Sequence, residues 1–378
     1  MFERNIFTEE QNFFRKTANK FVEKEVLPYH DKWEKDGFVP RDLWLKAGEI
    51  GLLCPNVPKK YGGIGGDFRF NVIITEELAK IGATGPGFAV HSDIVAPYLI
   101  NYSTEKQKNN YLPKMVKGEL ITAIAMTEPN TGSDLQNIGT KSIIEENKIV
   151  LNGSKTFITN GQNANLILVI AKTDISKKAK GISIILCEDT RRGFKRGRNL
   201  KKIGLKAQDT SELFFEDIEL PLDNILGNSG HGFFQLMDEL PQERLSIAVT
   251  AVSAAEAALN WTISYTKERK AFNKKIIDFQ NTKFTLAKLK AEITVARTFI
   301  DKCIEVHIKN NFSAEDGAIA KLWCTDLQFK VMDECLQLFG GYGYMQEYPI
   351  AKAFMDSRVQ RIYGGTNEIM KEIISRNL

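Results

Sequence analysis

The sequence predicts a multidomain α+β protein: an N-terminal α-helical domain over residues 1–121, a middle β domain over 122–226 and a C-terminal helical domain over 227–378. Three observations carry this. At 378 residues the chain exceeds a typical single domain and can bury more than one core. Between about 122 and 226, short β-rich runs follow one another without helical stretches between them, which predicts an antiparallel sheet or barrel. On both sides of that region the texture is helical.

In the first domain, Phe14, Ala18, Phe21, Val22 and Val26 recur at helical spacing over residues 9–26. Pro40-Arg41-Asp42 opens a second, short helix, because proline suits a first turn. Tyr61-Gly62-Gly63-Ile64-Gly65-Gly66 is too rich in glycine for an element interior and predicts a connector. No apolar strand precedes it, as a nucleotide-binding glycine loop would require. In the middle domain, residues 148–151 and 156–159 flank Asn152-Gly153, a strong two-residue turn signal, and predict a hairpin. Residues 166–171, 182–186 and 213–215 read as further strands. After Gly227, residues 244–271 and 283–310 contain no Gly or Pro and are rich in Ala, Leu, Lys and Glu, as long helices are.

Composition excludes several classes. A hydrophobic fraction of 43% and a charged fraction of 26% are those of an ordinary soluble globular protein. The net charge of +4 is small, and the two signs are interleaved, so nothing argues for nucleic-acid binding. The one local excess, Arg191, Arg192, Lys195, Arg196, Arg198, Lys201 and Lys202, reads as a solvated loop and hairpin edge. Five cysteines, an odd number with no CxxC spacing, predict reduced thiols and neither disulfides nor a zinc site. His91 reads as a hydrogen-bonded structural residue, and without an HExxH string no metal is expected. The start Met1-Phe2-Glu3-Arg4-Asn5 has no signal-peptide run, and no 18-residue apolar stretch exists. The expectation is a cytoplasmic protein without a membrane span, or a mitochondrial matrix protein if processed.

Four strings carry chemistry. Met126-Thr127-Glu128-Pro129-Asn130-Thr131-Gly132-Ser133-Asp134 stands where helices give way to strands. Its hydroxyls and a glycine turn suit a planar heterocycle and a phosphate; by itself it also reads as an ordinary polar turn. Gln337-Leu338-Phe339-Gly340-Gly341-Tyr342-Gly343-Tyr344 bunches glycines after a helix, where another backbone can approach closely. Tyr363-Gly364-Gly365-Thr366-Asn367-Glu368 is a second glycine turn before a last helix. Arg269-Lys270-Ala271-Phe272 stands ahead of Gln280.

In order and spacing these strings resemble the acyl-CoA dehydrogenase family over the whole chain. Leu240-Pro241-Gln242-Glu243-Arg244-Leu245 and Ile362-Tyr363-Gly364-Gly365-Thr366-Asn367-Glu368-Ile369-Met370 resemble its long-chain branch. The resemblance implies the acyl-CoA dehydrogenase fold, with a C-terminal four-helix bundle, and FAD as cofactor. The implied activity is dehydrogenation of a medium- to long-chain fatty acyl-CoA to the trans-2-enoyl-CoA, as in fatty acid β-oxidation. The resemblance also implies that Met126, Thr127, Ser133, Phe157 and Thr159 contact FAD, with Phe157 where many members carry Trp. Arg269, Phe272, Gln280, Gln337, Gly340 and Gly341 then serve a neighbouring subunit's FAD, and Thr366 and Glu368 its ADP part. Asn273 stands where Gly is more usual. The implied partners are a fatty acyl-CoA substrate, electron-transfer flavoprotein as acceptor, and further copies of the chain in a homotetramer or dimer.

Removing a proton α to a thioester needs a carboxylate base in a dry pocket. Most members of the family carry it in a Tyr-Glu-Gly-Thr string, and here that glutamate is replaced by Gly364. The long-chain and isovaleryl branches place the base on another helix, at the position of Glu243. Glu243 is therefore the expected base and the backbone N–H of Gly364 a donor to the thioester carbonyl. Ser133, Arg244, Tyr363, Pro86 and Val90 are expected to contact substrate, and small or apolar residues at Pro86, Gly87 and Val90 to leave room for a longer acyl chain. A paired surface glutamate is the plainer reading of Glu243. An isovaleryl or short branched-chain dehydrogenase shares the same placement of the base. From another class, a catalytically silent acyl-CoA- or flavin-binding assembly protein on this fold is the alternative.

Overall fold

In the computed structural model, which describes residues 3–376 and 378, the chain opens with six helices. They are α1 (Glu9–Phe21), α2 (His30–Asp36), α3 (Arg41–Glu49), α4 (Phe68–Lys80), α5 (Ala96–Tyr102) and α6 (Glu105–Val116). Met1 and Phe2, part of the N-terminal reading, lie outside the described residues. α1 starts in a capping box, in which Thr8 and Gln11 exchange side-chain and backbone bonds. Its periodicity carries on to Val26 through a wider, π-type turn over Val22–Val26. Pro40 stands at the N-cap of α3, one residue ahead of its first turn. α2 has only seven residues, too few to leave a periodic signal.

The middle strands are β1 (Thr122–Ala125), β2 (Lys141–Glu145), β3 (Lys148–Thr159), β4 (Leu166–Lys172), β5 (Ile182–Glu188), β6 (Phe194–Asn199) and β7 (Thr210–Pro221), joined in one sheet. Most pairs are antiparallel, but β1 runs parallel to β4, with Thr122 opposite Leu166. The hairpin predicted at Asn152-Gly153 is not there, because β3 runs straight through both residues. The turn lies at Glu146-Asn147, where Glu145 of β2 faces Lys148 of β3. Gly153 instead marks a register shift against β7, at φ 152°. A Cβ there would come 2.5 Å from Thr140 Oγ1. A strand glycine is also the mark of a bulge with a close neighbour, and that use prevails here. The basic run lies on and around β6, where Lys195 pairs with Glu216, Arg196 with Asp189 and Arg191 with Glu188.

The third region comprises α7 (Gly232–Glu268), a ribbon of β8 (Lys270–Ala271) and β9 (Lys274–Lys275), α8 (Gln280–His307), α9 (Ala314–Phe339), α10 (Pro349–Ser357) and α11 (Asn367–Ser375). The helix predicted over 244–271 ends at Glu268. The chain then folds into the β8–β9 ribbon, with Phe272 and Asn273 both at positive φ. α8 starts and stops about one turn before the predicted 283–310. Buried Ala248, Ala251, Ala255 and Ala258 let α9 close onto α7, and this core also takes in α8 and Phe68 and Val72 of α4. Among the described residues no helix is long and apolar enough to cross a membrane.

A charged cluster ties the N-terminal helices to this core. Glu76 of α4 accepts from Arg297 of α8 at 3.0 Å and from Arg4 at 2.8 Å, and pairs with Arg15 at 2.7 Å. Arg4 also reaches Asp301 at 2.7 Å, and Arg297 reaches Glu256 of α7 at 2.7 Å. Burial alone would push the Glu76 carboxyl up, but Arg297, Arg4 and Arg15 together hold it at about 2. A depressed folded-state value stabilises above the unfolded one, and that contribution is lost as pH falls toward about 2. Glu76→Ala leaves Arg297 buried without this partner and is expected to cost roughly 3–5 kcal/mol. Thermal melts check it: the variant should melt lower at neutral pH and lose less further stability on acidification than the parent.

Candidate active site

α7 carries Glu243 two residues after Pro241, and its side chain is buried. Tyr98 of α5 donates its hydroxyl to Glu243 Oε1 at 2.9 Å. Burial raises the carboxyl, the bond from Tyr98 and the charge of Arg244 pull it back and Glu239 pushes it up, and together they leave it at about 7. The surface-glutamate reading is thereby overturned, since Glu243 is enclosed and hydrogen-bonded across to another helix.

Beside it, Arg244 directs Nε to the carbonyl of Gly364 at 3.4 Å, a long contact. Gly364 and Gly365 sit at φ 66° and 90°. A Cβ on Gly364 would come 2.5 Å from Ile247 Cδ1, so a side chain there would meet α7. Lys321, fully buried on α9, pins this loop: its Nζ donates to Gly365 O at 2.7 Å and to Asn367 Oδ1 at 2.9 Å. Asn367 in turn donates to Thr325 and Asp326. Burial, then the neighbouring charge of Arg244, brings Lys321 down to about 8. Thr366 caps α11 by accepting from Ile369 N, and the Tyr363 hydroxyl donates to Gln360 at 2.7 Å.

The opposite wall comes from the sheet. Lys155 of β3 is buried and donates to Met126 O and to Glu128 Oε1, both at 2.9 Å. Glu128 also accepts from the backbone of Gly139 and Thr140, and Thr156 N donates to Thr127 O. This clamp fixes the loop that brings Met126, Thr127 and Ser133 to the wall. Phe157 lies at the second register shift of β3, at φ 59° and 66% exposed.

The third wall is a π-type turn over Val90–Val95 with the end of α4. Asp93 in that turn accepts from Asn71 at 2.7 Å and Ser246 at 2.6 Å, tying the turn to α7. His91 bonds Thr122 Oγ1 and Met115 O and is fully buried, the structural histidine expected. Gly87 departs from expectation. Its carbonyl accepts from Asn160, whose Oδ1 a Cβ would meet at 1.9 Å, so its smallness serves packing against the β region.

Glu243, Arg244, Tyr363, Gly364 and Thr366 share one cavity of about 1430 Å³ with Met126, Thr127, Ser133, Phe157 and Thr159, and Pro86 and Val90 line it too. Arg269, Phe272, Gln280, Gln337, Gly340, Gly341 and Glu368 lie outside it, exposed. There Phe272 is 90% exposed on the β8–β9 ribbon, and the Arg269 guanidinium lies 5.5 Å over the Tyr342 ring. His30, Asp31 and Glu34 come close enough to hold a cation. Lys352 already pairs with both carboxylates, and His30 accepts from Gly85 N.

Sequence reasoning missed Tyr98, Glu239, Lys321 and Trp261, the last on the cavity wall. A signal existed for two of them: Glu239 and Glu243 stand four apart on a largely apolar helix, and Lys321 interrupts the buried stripe of α9.

Three family models cover the chain: Acyl-CoA dehydrogenase N-terminal domain over residues 8–119, middle domain over 123–218 and C-terminal domain over 230–378. The mitochondrial long-chain specific acyl-CoA dehydrogenase of Sus scrofa is 50% identical over 377 residues, 99% of this chain and 88% of that protein. The short-chain specific acyl-CoA dehydrogenase of Clostridium acetobutylicum is 37% identical over 97% of each chain. Among solved structures, acyl-CoA dehydrogenase from Geobacillus kaustophilus superposes with a TM-score of 0.97 at 48% identity, over 99% of each chain. A glutaryl-CoA dehydrogenase from Mycobacterium smegmatis in complex with FADH2 gives 0.92 at 26% identity, over 98% of this chain and 95% of that one.

Gly364→Ala puts a Cβ at a left-handed position, at a cost of roughly 1–2 kcal/mol, and crowds Ile247. The expected result is a Tm lower by roughly 1–3 °C for a chain of this size. A melt unchanged from the parent's would show that neither the positive φ nor the contact matters.

Proposed function

The chain belongs to the acyl-CoA dehydrogenase family, and from that premise we propose that it oxidises the α,β bond of a medium- to long-chain acyl-CoA to the trans-2-enoyl-CoA, with Glu243 as base. The observation that carries this is a buried carboxylate on the cavity wall, raised to about 7 by desolvation, where the usual glutamate of the glycine loop is missing. Near that value the group is basic enough to take a proton and is still substantially ionised at neutral pH. Glu243 takes the proton from Cα as that C–H bond breaks, and the Gly364 N–H donates to the thioester oxygen on which charge builds. Tyr363 and Arg244 line the same end of the cavity and hold the thioester in place.

The residues fit FAD. Phe157 offers an aromatic face uncovered within the chain, suited to a planar ring. Met126, Thr127, Ser133 and Thr159 bring backbone and hydroxyl groups to the same wall. When bound, FAD supplies the acceptor for the hydride that leaves Cβ. Arg269, Phe272, Gln280, Gln337, Gly340 and Gly341, with Glu368 for the ADP end, are assigned to a neighbouring copy's FAD, in a homotetramer or dimer, whereas Thr366 lines this chain's own cavity and is assigned to the FAD there. A phenylalanine 90% exposed at a ribbon tip supports burial against another copy. Electron-transfer flavoprotein is the proposed acceptor.

The length of α7 along the cavity supports the long-chain reading. Glu243, Ile247, Thr250, Ala254 and Trp261 line the cavity at helical spacing. The span from Glu243 to Trp261 is roughly 27 Å at ~1.5 Å per residue. An extended palmitoyl chain needs roughly 19 Å, from C–C bonds of ~1.5 Å. Room of that length supports the long-chain reading over the short or branched acyl groups of the isovaleryl one. A silent binding protein has no need of a desolvated base.

Purified protein is expected to be yellow and to bleach anaerobically with palmitoyl-CoA; no bleaching with any acyl-CoA would sink the dehydrogenase reading. Glu243→Gln should retain flavin and lose roughly 10²–10⁴-fold in turnover. In the parent, kcat/KM should fall as pH drops below about 7, where Glu243 becomes protonated. Across butyryl- to stearoyl-CoA, long chains should be preferred, and Ala254→Phe should move the optimum to shorter ones. A sharp butyryl or isovaleryl optimum in the parent refutes the chain-length assignment.

A further inference from the structure

Between α5 and α7 the base has company that proton abstraction alone does not explain. Tyr98 and Tyr102 stand four residues apart on α5, and Glu239 and Glu243 four apart on α7, so each pair shares a helix face. Tyr98 meets Glu243 at 2.9 Å, Asn101 donates to Glu239 Oε1 at 2.7 Å, and the Tyr102 hydroxyl lies 3.4 Å from Asp238. Both glutamates are buried, yet only Glu243 lines the cavity. Glu239 is thus a second enclosed carboxylate, one turn from the base and off the cavity wall; burial and the charge of Asp238 raise its carboxyl, and the bonds from Asn101 and Tyr102 oppose them and favour its charged form. Tyr98 is fully buried, and its hydroxyl donates to the base.

We propose that Tyr98 and Glu239 are positioning residues for the base: Tyr98 holds Oε1 of Glu243 and leaves Oε2 to face the substrate, while Glu239 supplies a like charge that keeps Glu243 ready to take a proton. This rests on the reading of Glu243 as base. The two influences oppose each other. A hydroxyl donating to a carboxylate favours its ionised form, and a neighbouring carboxylate disfavours it. Among the described residues Tyr98 reaches Oε1 and no hydrogen bond reaches Oε2, so one oxygen is anchored and the other is not. Of the remaining charges around the base, Arg244 also favours the ionised form of Glu243 and is unchanged in the variants tested below, and the others have partners of their own. Arg244 on the same helix faces Gly364, and Lys321 of α9 holds Gly365 and Asn367. Asp93 of the π-type turn is tied to Asn71 and Ser246.

The test is the pH profile of kcat/KM with palmitoyl-CoA, on holoenzyme, for Tyr98→Phe and Glu239→Gln. Phenylalanine fills the same space as tyrosine, and glutamine keeps an acceptor for Asn101, so both variants preserve packing. Losing the hydroxyl should move the acid limb to higher pH, and losing the like charge should move it to lower pH, each by roughly half to one unit. A second readout needs no turnover: infrared titration of the carboxyl band that Glu243→Gln removes should shift with the same opposite signs. Limbs that stay in place, or move the same way in both variants, overturn the proposal. If the parent turns over no acyl-CoA, or Glu243→Gln stays fully active, the failure belongs to the function reading. The infrared titration then still decides whether Tyr98 and Glu239 govern the ionisation of Glu243.

Discussion

Glu76 sits among Arg4, Arg15 and Arg297, and this cluster fixes α4 against α7 and α8. The width of the cavity depends on that spacing. The last turn of α4 and the segment after it supply Leu78, Ala79 and Gly82 to its wall, and α7 supplies Glu243, Ile247 and Ala254. A buried ion network costs heavily in desolvation and contributes little net stability compared with an apolar core. What it contributes is geometry, because each guanidinium fork accepts one arrangement of carboxylates. Alanines along α7 do the complementary work, letting α9 approach closely.

The site itself is built by tension between burial and partners. Glu243, Lys155 and Lys321 are all enclosed, and burial drives each toward its neutral form. Lys155 is matched to Glu128 and Lys321 to carbonyl oxygens, so both hold backbone in place. Glu243 receives one hydroxyl and, among the described residues, forms no ion pair, which leaves it the least settled of the three. An unsettled group on a cavity wall is what proton transfer requires.

Much of this was legible in the sequence. The α, β, α order followed from periodicity and glycine placement, whereas Glu243 was singled out only through the family resemblance, in which Gly364 stands where a glutamate is usual. Asn152-Gly153 misled because the same dipeptide serves a tight turn and a bulge, and only the partner strand decides between them. Tyr98 could not be found, since nothing local connects it to a residue on another helix far along the chain. Gly87 read as pocket lining, because the contact that requires its smallness comes from Asn160, 73 residues away. Exposed Arg269 and Phe272 carried a resemblance and no local pattern, and within one chain they have little to touch.

The glycine loop at 363–366 and the carboxylate on α7 reach the cavity from elements far apart in the chain, and Arg244 is their bridge. Such a division makes the site modular. The loop is free to change a flanking side chain, such as Ile362, without moving the carboxylate of Glu243. The helix of that carboxylate can in turn be reshaped at Thr250 or Ala254 without disturbing the loop. The shape of the pocket and the setting of its buried carboxylate thereby become separately heritable traits.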